Sequence, residues 1–150
     1  MSEYLETTAD KFTFRVATDR LYTAEGLWVK AEAPGRVRVG LGDFLQQRSG
    51  DLAFLSVKPP GTKLVAGDDF ADMETVKVTQ ALPSPVAGAV VEANAALELT
   101  PEVVNQDPYE SGWLAVLEIS NWDAERSRLL EPQAYFAVMQ KQVEQEVQSS

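Results

Sequence analysis

The stretch from Gly67 to Asn94 reads GDDFADMETVKVTQALPSPVAGAVVEAN. The segment from Phe70 to Leu82 contains Val, Phe, Thr and Leu, the segment from Val86 to Asn94 contains three valines, and turn residues stand at Pro83 to Pro85. Short segments of this composition, bounded by turn residues, are typical of β-strands. The stretch therefore predicts a strand-and-turn structure with one lysine, Lys77, in its middle.

The N-terminal half of the chain continues the same rhythm. Alternating apolar and polar segments occur between residues 11 and 58, and Pro-Gly and Gly-rich turns separate them. The segment DFLQQRS, Asp43 to Ser49, has an acidic N-cap candidate in Asp43 and no breaker before Gly50, so it predicts one short helix. Several short strands at this spacing predict a mainly β fold of the sandwich or barrel type.

From Asn121 onward the pattern becomes helical. The segment NWDAERSRLLEPQAYFAVMQKQVEQEVQ lacks Gly and spaces its apolar residues at helical intervals around Pro132. It predicts two helices that are separated by this proline and pack on the sheets, with a solvated tail from Lys141. We expect three parts: an N-terminal extension, residues 1–21, a β domain, residues 22–120, and the C-terminal helices with their tail, residues 121–150.

Composition and charge narrow the classes of function. The chain has 150 residues, a formal net charge of -10 and neither Cys nor His. Net negative charge with scattered basic residues disfavours nucleic acid as a partner, and the missing Cys and His disfavour a free-standing enzyme with a thiol or imidazole group. No apolar window is long enough to cross a bilayer, and MSEYLETTADKF lacks the pattern of a secretion signal. We expect a cytoplasmic protein with no membrane contact.

The segment around Lys77 resembles the modification loop of glycine cleavage H-proteins, which carry a lipoyl group as an amide on a lysine. The family has Glu-Ser-Val-Lys-Ala at a hairpin tip, and this chain has Glu74, Thr75, Val76, Lys77 and Val78. The resemblance implies that lipoate is attached covalently to Lys77. A swinging cofactor needs an exposed amine at a tight turn between stiff strands, and a hairpin tip meets that need.

Flanking blocks of the same family occur in the expected order. Gly61 and Gly88 match glycines that stand well before and well after the family's lysine, and PEVVNQDPYESGWLAVLEI, residues 101–119, looks like its Pro-Glu-Leu-Val-Asn, Pro-Tyr and Gly-Trp-Leu segment. The resemblance extends from about residue 22 to residue 136. It implies a mainly β protein with a C-terminal α part, a barrel-sandwich hybrid of the lipoyl-domain type with flanking short helices.

The resemblance also implies partners. A lipoate-protein ligase or an equivalent enzyme would attach the cofactor, with Glu74, Val76, Gly61 and Gly88 as candidate recognition residues, and dihydrolipoyl dehydrogenase is a further candidate partner. For Glu74 a plain surface carboxylate is an equally good interpretation. Gly61 and Gly88 can also be plain turn glycines that shape the fold, which is compatible with both interpretations of the lysine segment.

Two positions depart from the family pattern. H-proteins carry His-Glu before the tryptophan that Trp28 matches, and an acid four residues after the modified lysine; this chain has Gly26-Leu27 and Ala81. In the family these acids help to shelter a cationic aminomethyl arm. Leu27 and Ala81 therefore predict a less polar arm cleft, which suits a neutral or anionic adduct such as a bound sulfur species.

Three functions follow from these observations. The departures favour the H-protein-like lipoate-binding proteins of bacterial sulfur oxidation, which work with a heterodisulfide-reductase-like complex. The first alternative is a glycine cleavage H-protein that carries the aminomethyl group between the glycine cleavage enzymes. The second alternative is an unmodified β-rich protein-interaction module. The first two functions share Lys77 and differ in the cargo.

Overall fold

The computed structural model describes residues 3–149. Met1, Ser2 and Ser150, which belong to the predicted extension and tail, lie outside the described residues. The strands are β1 (Tyr4–Ala9), β2 (Phe12–Ala17), β3 (Leu21–Tyr22), β4 (Leu27–Ala33), β5 (Arg36–Leu41), β6 (Leu52–Val57), β7 (Lys63–Leu64), β8 (Asp69–Thr75), β9 (Thr79–Pro83), β10 (Gly88–Ala93) and β11 (Ala115–Glu118). The helices are α1 (Asp43–Ser49), α2 (Ala96–Leu99), α3 (Val103–Gln106), α4 (Trp122–Arg126) and α5 (Pro132–Ser149).

The strands form three antiparallel sheets. A six-stranded sheet has the order β3-β4-β5-β11-β10-β7, a three-stranded sheet has the order β6-β8-β9, and β1 pairs with β2. The two larger sheets share one hydrophobic cluster, to which β4 contributes Val29, β6 contributes Leu55 and β8 contributes Phe70. Alternating side chains from both sheets meet there, as in a sandwich. The predicted mainly β fold with a C-terminal helical part is confirmed.

The first two strands form a hairpin that the sequence analysis left within an extension. Ala9 pairs with Phe12, and the two residues between them form a tight turn in which Asp10 has a φ of 59°. Aspartate tolerates this left-handed conformation better than most residues do. The hairpin packs on α5 and α1 through a second hydrophobic cluster, whose buried members are Phe14, Val16, Ala17, Tyr22, Trp28, Phe44, Tyr109, Tyr135, Met139 and Val143.

Tyrosine hydroxyls fasten β2 to the rest of the protein. Tyr22 Oη donates to the carbonyl oxygen of Ala17 at 2.7 Å, and Tyr109 Oη donates to that of Arg15 at 2.7 Å. Burial raises the pKa of Tyr22 far above its usual value and that of Tyr109 to about 12, because the charged phenolate would lose its water. Strand β2 is therefore held by groups that stay protonated over the physiological range.

Helix α1 has the predicted bounds but a different N-cap. Gly42, in extended conformation, occupies the N-cap position, and Asp43 lies in the first helical turn. Asp43 instead accepts hydrogen bonds from the backbone N–H of Arg15 at 2.9 Å and from Gln46 Nε2 at 2.8 Å. The carboxylate thus joins α1 to β2, and the predicted capping role of Asp43 was wrong.

Two helices follow residue 121 as predicted. Asn121 caps α4 by accepting a hydrogen bond from the Ala124 N–H at 3.2 Å, and Pro132 is the first residue of α5, where a missing N–H costs nothing. Helix α5 continues to Ser149, so the predicted tail from Lys141 is helical; Lys141 and residues 144–147 are exposed, whereas Val143 is only 4% exposed. This valine extends, at a spacing of four, the buried face of the helix.

Candidate functional site

Lys77 lies at the tip of the hairpin formed by β8 and β9. The tip consists of Val76, Lys77 and Val78, since β8 ends at Thr75 and β9 begins at Thr79. The Lys77 side chain is exposed, and Val76 is 92% exposed. In the described part of the chain, Lys77 takes part in none of the ion pairs within 4 Å. The lysine is therefore accessible to a modifying enzyme, as the predicted hairpin tip requires.

The side chain of Thr75 fixes the conformation of this tip. Thr75 is only 7% exposed; its hydroxyl donates to the carbonyl oxygen of Ser49 at 2.7 Å and accepts from the N–H groups of Lys77 at 3.1 Å and Val78 at 3.0 Å. Its own N–H donates to the carbonyl oxygen of Val78 at 2.8 Å. One threonine thus closes the turn and ties it to the end of α1.

Sequence reasoning assigned no role to Thr75, although a signal was present. Threonine and serine hydroxyls accept hydrogen bonds from backbone groups two and three residues onward, which nucleates tight turns. A threonine two residues before Lys77 fits that pattern. The tip is therefore rigid up to the Cα of Lys77, and motion is left to the lysine side chain.

Glu74 lies just before this tip and is exposed. It lies on β8, and its register partners are Phe54 on β6 and Thr79 on β9. Residues that face each other across antiparallel strands project to the same side of the sheet, and all three are exposed. Glu74 therefore lies on the exposed face of the three-stranded sheet, three residues before Lys77 in the chain.

Gly61 and Gly88 lie elsewhere, at the edge of the six-stranded sheet. The N–H of Gly61 donates to the carbonyl oxygen of Val90 at 2.8 Å, and Gly88 pairs with Leu64. A Cβ atom on Gly88 would come within 2.3 Å of the carbonyl oxygen of Glu118, a distance that no side chain tolerates. This close approach gives Gly88 a scaffold role, and recognition of either glycine by a modifying enzyme stays a prediction.

The predicted arm cleft of Leu27 and Ala81 is not formed. Leu27 is 1% exposed and lies in the main core together with Leu41, its register partner on the neighbouring strand β5. Ala81 lies on an exposed part of β9, opposite Asp72 of β8. Leu27 was misassigned because it faces the core. The acid that is missing at position 81 has a carboxylate neighbour in Asp72 on the same face of the sheet.

A groove with a volume of about 210 Å³ lies beside Lys77 instead, and sequence reasoning missed it. We call it the Lys77 groove. It is lined by Phe12, Phe14, Phe44, Gln47, Arg48, Lys77 and Glu146. Its members come from β2, α1 and α5 as well as from the hairpin tip, so no local sequence pattern indicates it.

Two further features, a membrane-spanning helix and a metal site, are not found in the described part of the chain. Among residues 3–149, none of the helices combines the length and apolar character that a bilayer crossing needs. In the same residues, no cluster of three or more His, Cys, Asp or Glu is arranged to hold a metal ion. The candidate site is therefore defined by the exposed amine of Lys77 and by the groove next to it.

Comparisons with known proteins show the family of this chain. The family model for the glycine cleavage H-protein matches residues 20–142. The glycine cleavage system H protein of Oceanobacillus iheyensis is 42% identical over 122 residues, which cover 81% of this chain and 95% of the relative. The probable glycine cleavage system H protein of Thermococcus gammatolerans is 38% identical over 122 residues, covering 81% of this chain and 90% of the relative.

A solved structure of a glycine cleavage H-protein is also similar to this chain. The crystal structure of a glycine cleavage system H protein from Mycobacterium marinum superimposes with a TM-score of 0.72 at 30% identity. The matched region covers 80% of this chain and 95% of the solved chain. Proteins of this family are carriers with lipoate covalently attached to a lysine, and they are not themselves catalytic. The chain described here belongs to the glycine cleavage H-protein family.

Proposed function

We propose that this protein is the lipoyl carrier of a glycine cleavage system and that its lipoyl group is attached to Lys77. The exposed Lys77 amine, on a tip fixed by the Thr75 hydrogen bonds, is the observation that carries the proposal. These residues fit a covalent arm, because the amine is open to an attaching enzyme and the backbone beneath it is anchored. When attached, the dithiolane ring would supply a disulfide, and its two-electron reduction would give a pair of thiols, one of which can carry a small group.

The protein's own residues confine the motion of the arm. Thr75 holds the backbone on both sides of the lysine, and the paired strands β8 and β9 stiffen the hairpin behind it. Movement is then restricted to the rotatable bonds of the side chain and its lipoyl extension. A tether of fixed origin raises the effective concentration of its cargo at each enzyme that docks nearby.

The partners that we propose follow from this role. A lipoate-protein ligase or an equivalent enzyme would approach the exposed surface around Glu74 and Val76. The glycine cleavage enzymes would load and unload the arm, and dihydrolipoyl dehydrogenase would reoxidise it. The net charge of -10 favours partner surfaces that carry basic residues.

The choice of cargo departs from the preference of the sequence analysis. The relatives described above are glycine cleavage H-proteins, which supports an aminomethyl cargo over a sulfur cargo. A sulfur cargo was predicted because Leu27 and Ala81 were expected to form the walls of an apolar cleft. Leu27 is buried in the core, and Asp72 offers a carboxylate beside Ala81, so that argument loses its basis.

Two measurements test the proposal. The purified protein is incubated with lipoate, ATP and a lipoate-protein ligase, and its intact mass is recorded together with that of Lys77→Arg. We expect one lipoyl amide on the native chain and none on the variant. The lipoylated protein is then incubated with a glycine decarboxylase and glycine labelled at the methylene carbon, and we expect the label to remain on the protein.

Each alternative gives a different result in these measurements. A lipoylated chain that takes no label from glycine, and instead acquires sulfur from a heterodisulfide-reductase-like complex, would support the sulfur-oxidation function. A chain whose mass does not change, and whose binding properties are indifferent to Lys77→Arg, would support an unmodified interaction module.

A further inference from the structure

Two contacts join the hairpin tip at Lys77 to the segment that follows α1. The Thr75 hydroxyl donates to the carbonyl oxygen of Ser49 at 2.7 Å. The aliphatic carbons of Lys77 pass over Gly50, with Cδ 3.6 Å from the place of a Cβ there. Gly50 has a φ of 91°, a left-handed conformation that favours glycine. The position of Lys77 therefore depends on what holds residues 49 and 50.

The regular hydrogen bonds of α1 and β6 do not cover this segment completely. The Gly50 N–H donates to the carbonyl oxygen of Gln46 at 3.1 Å and ends the pattern of α1, whereas β6 begins only at Leu52. Backbone groups at a helix end have no partner within the helix and must find one elsewhere. The carbonyl of Gly50 and the N–H of Leu52, which flank the bend between α1 and β6, both bond to the same side chain.

That side chain is Asn105 on α3. Its Nδ2 donates to the carbonyl oxygen of Gly50 at 3.0 Å, and its Oδ1 accepts from the N–H of Leu52 at 2.9 Å, so one amide closes the bend from both sides. The same Nδ2 donates to Oε1 of Gln46 at 3.0 Å, and Gln46 is only 7% exposed. Asn105 therefore fixes the bend to α1 as well as to itself.

We infer that Asn105 is a positioning residue for the Lys77 tip. It acts through residues 49 and 50, and not by contact with the arm. The inference rests on the proposed attachment of lipoate to Lys77. A bend that is bonded on both sides cannot turn its peptide groups without breaking those bonds, so the Ser49 carbonyl stays directed at Thr75. Without the amide, the tip would spend less time in the conformation that an attaching enzyme binds, and the apparent affinity would fall with that population.

Asn94 offers a matched control within the same chain. Its Nδ2 donates to the carbonyl oxygens of Ser111 at 3.0 Å and Trp113 at 2.8 Å, and its Oδ1 accepts from the N–H of Ala96 at 3.1 Å. It therefore makes two donated bonds and one accepted bond, as Asn105 does, with partners that belong to neither α1 nor the β8–β9 hairpin. A loss that Asn94→Ala and Asn105→Ala share is one of stability, and a change confined to Asn105→Ala is one of position.

Amide hydrogen exchange of the unmodified chain, followed by NMR, tests the inference without any enzyme. The N–H groups of Lys77 and Val78 donate to Thr75 and report on the tip. We expect them to exchange roughly tenfold faster in Asn105→Ala than in the native protein, a factor that corresponds to about 1.4 kcal/mol. In Asn94→Ala they should stay within about twofold of the native rate. All proteins are compared at a temperature at which urea unfolding shows them to be folded.

A second variant, Asn105→Asp, keeps the test decisive if Asn105→Ala does not fold. Aspartate has nearly the same shape, retains an acceptor for the N–H of Leu52 and loses the two donated bonds to Gly50 and Gln46. The amides of Lys77 and Val78 should then exchange at least roughly threefold faster than in the native protein.

Steady-state lipoylation with lipoate, ATP and a lipoate-protein ligase gives an independent measurement. We expect Asn105→Ala to raise the KM for the carrier chain roughly fivefold and to leave kcat within about twofold, because the ligase binds only the correctly shaped tip. Asn94→Ala should change neither constant. Thr75→Val combined with Asn105→Ala should raise KM no further than the larger single effect, because both changes interrupt one path.

Three results would overturn the inference. The first is native exchange rates at Lys77 and Val78 in both Asn105 variants, and the second is an equal acceleration by Asn94→Ala. The third is an additive effect of Thr75→Val and Asn105→Ala on KM, since Asn105 would then act by a path that excludes Thr75. A native chain that gains no lipoyl mass would overturn the proposed function, whereas the exchange rates would still decide whether Asn105 positions the tip.

Discussion

Two hairpins of this protein carry an exposed lysine at the tip, and only one of them resembles a modification site. The β1–β2 hairpin has Lys11 in its two-residue turn, and the β8–β9 hairpin has Lys77. Both amines are accessible, so exposure at a turn does not by itself distinguish a carrier lysine. The difference lies in how each turn is held and in what surrounds it.

The two hairpins are held by different hydroxyl groups. Thr75 lies buried at the β8–β9 tip and bonds to its backbone, whereas Thr8 and Thr13 of the other hairpin share one exposed hydrogen bond at 3.0 Å. Strand β2 is secured at its far end by Tyr22 and Tyr109. The β8–β9 hairpin is therefore held at its tip, and the N-terminal hairpin is anchored at its base.

The largest expected effect is on lipoylation itself. Lys77→Arg keeps the positive charge but removes the primary amine, so we expect complete loss of the lipoyl mass increment in the presence of ligase and ATP. Lys11→Arg is the matched control and should be lipoylated as fully as the native chain. Modification of the Lys77→Arg protein at Lys11, found by peptide mass spectrometry, would show that any exposed hairpin lysine suffices.

Alkaline pH should destabilise the buried tyrosines that surround the base of the N-terminal hairpin. Burial raises the pKa of Tyr22, Tyr109 and Tyr135 above the value of about 10 in the unfolded chain. The folded protein therefore binds these protons more tightly than the unfolded chain does. The contribution of these tyrosines to the free energy of unfolding is fully present below pH 10 and falls as the pH rises through about 12, the pKa of Tyr109.

By pH 11 the loss should be about 1 kcal/mol for each of these tyrosines. Urea unfolding at pH 8 and pH 11 measures it. The variant Tyr109→Phe should show a smaller loss between the two pH values, because one of the titrating groups is gone. Equal losses for Tyr109→Phe and the native protein would contradict this account of the anchor.

Removal of the Thr75 hydroxyl should destabilise the tip of the β8–β9 hairpin. Thr75→Val preserves the shape of the side chain but leaves the N–H groups of Lys77 and Val78 without their acceptor and the carbonyl of Ser49 without its donor. We expect a loss of about 2 kcal/mol in the free energy of unfolding, measured in urea, and slower lipoylation. Thr13→Val in the other hairpin should cost less than about 0.5 kcal/mol. Similar costs would mean that the Thr75 bonds add no special rigidity.

Glu74 should have the smallest effect, and only on recognition. Its side chain is exposed, so Glu74→Gln should change the stability by less than about 0.5 kcal/mol. We expect the initial rate of lipoylation to fall roughly fivefold, which corresponds to about 1 kcal/mol of transition-state binding. Glu6→Gln on the N-terminal hairpin is the control. An unchanged rate for Glu74→Gln would make Glu74 a plain surface carboxylate.

Local sequence patterns were enough to predict much of the fold and the turn at the tip of the β8–β9 hairpin. The bounds of α1 and the start of α5 follow from neighbouring breakers, because Gly50 ends the first helix and Pro132 opens the last. The turn at Lys77 follows from its resemblance to a family segment. These features depend on residues close together in the chain, which a sequence displays directly.

Features that depend on distant residues were missed or misassigned. The Lys77 groove combines Phe12, Phe44 and Glu146, three residues more than thirty positions apart along the chain. Leu27 was misassigned because a strand between two layers of structure does not display in its sequence which face meets the core. The strand β1 was overlooked because only pairing with β2 and packing on α5 stabilise it.

The bond from Thr75 to Ser49 has a consequence for the geometry of delivery. With lipoate on Lys77, as proposed, this bond would fix the origin of the arm relative to α1, and the cargo would sample only the space that the body of the protein leaves free. A partner enzyme that binds α1 would then meet the cargo within the same range of orientations and distances from that helix in every encounter. Pre-alignment of this kind shortens the search for the reactive pose without any new contact to the cargo.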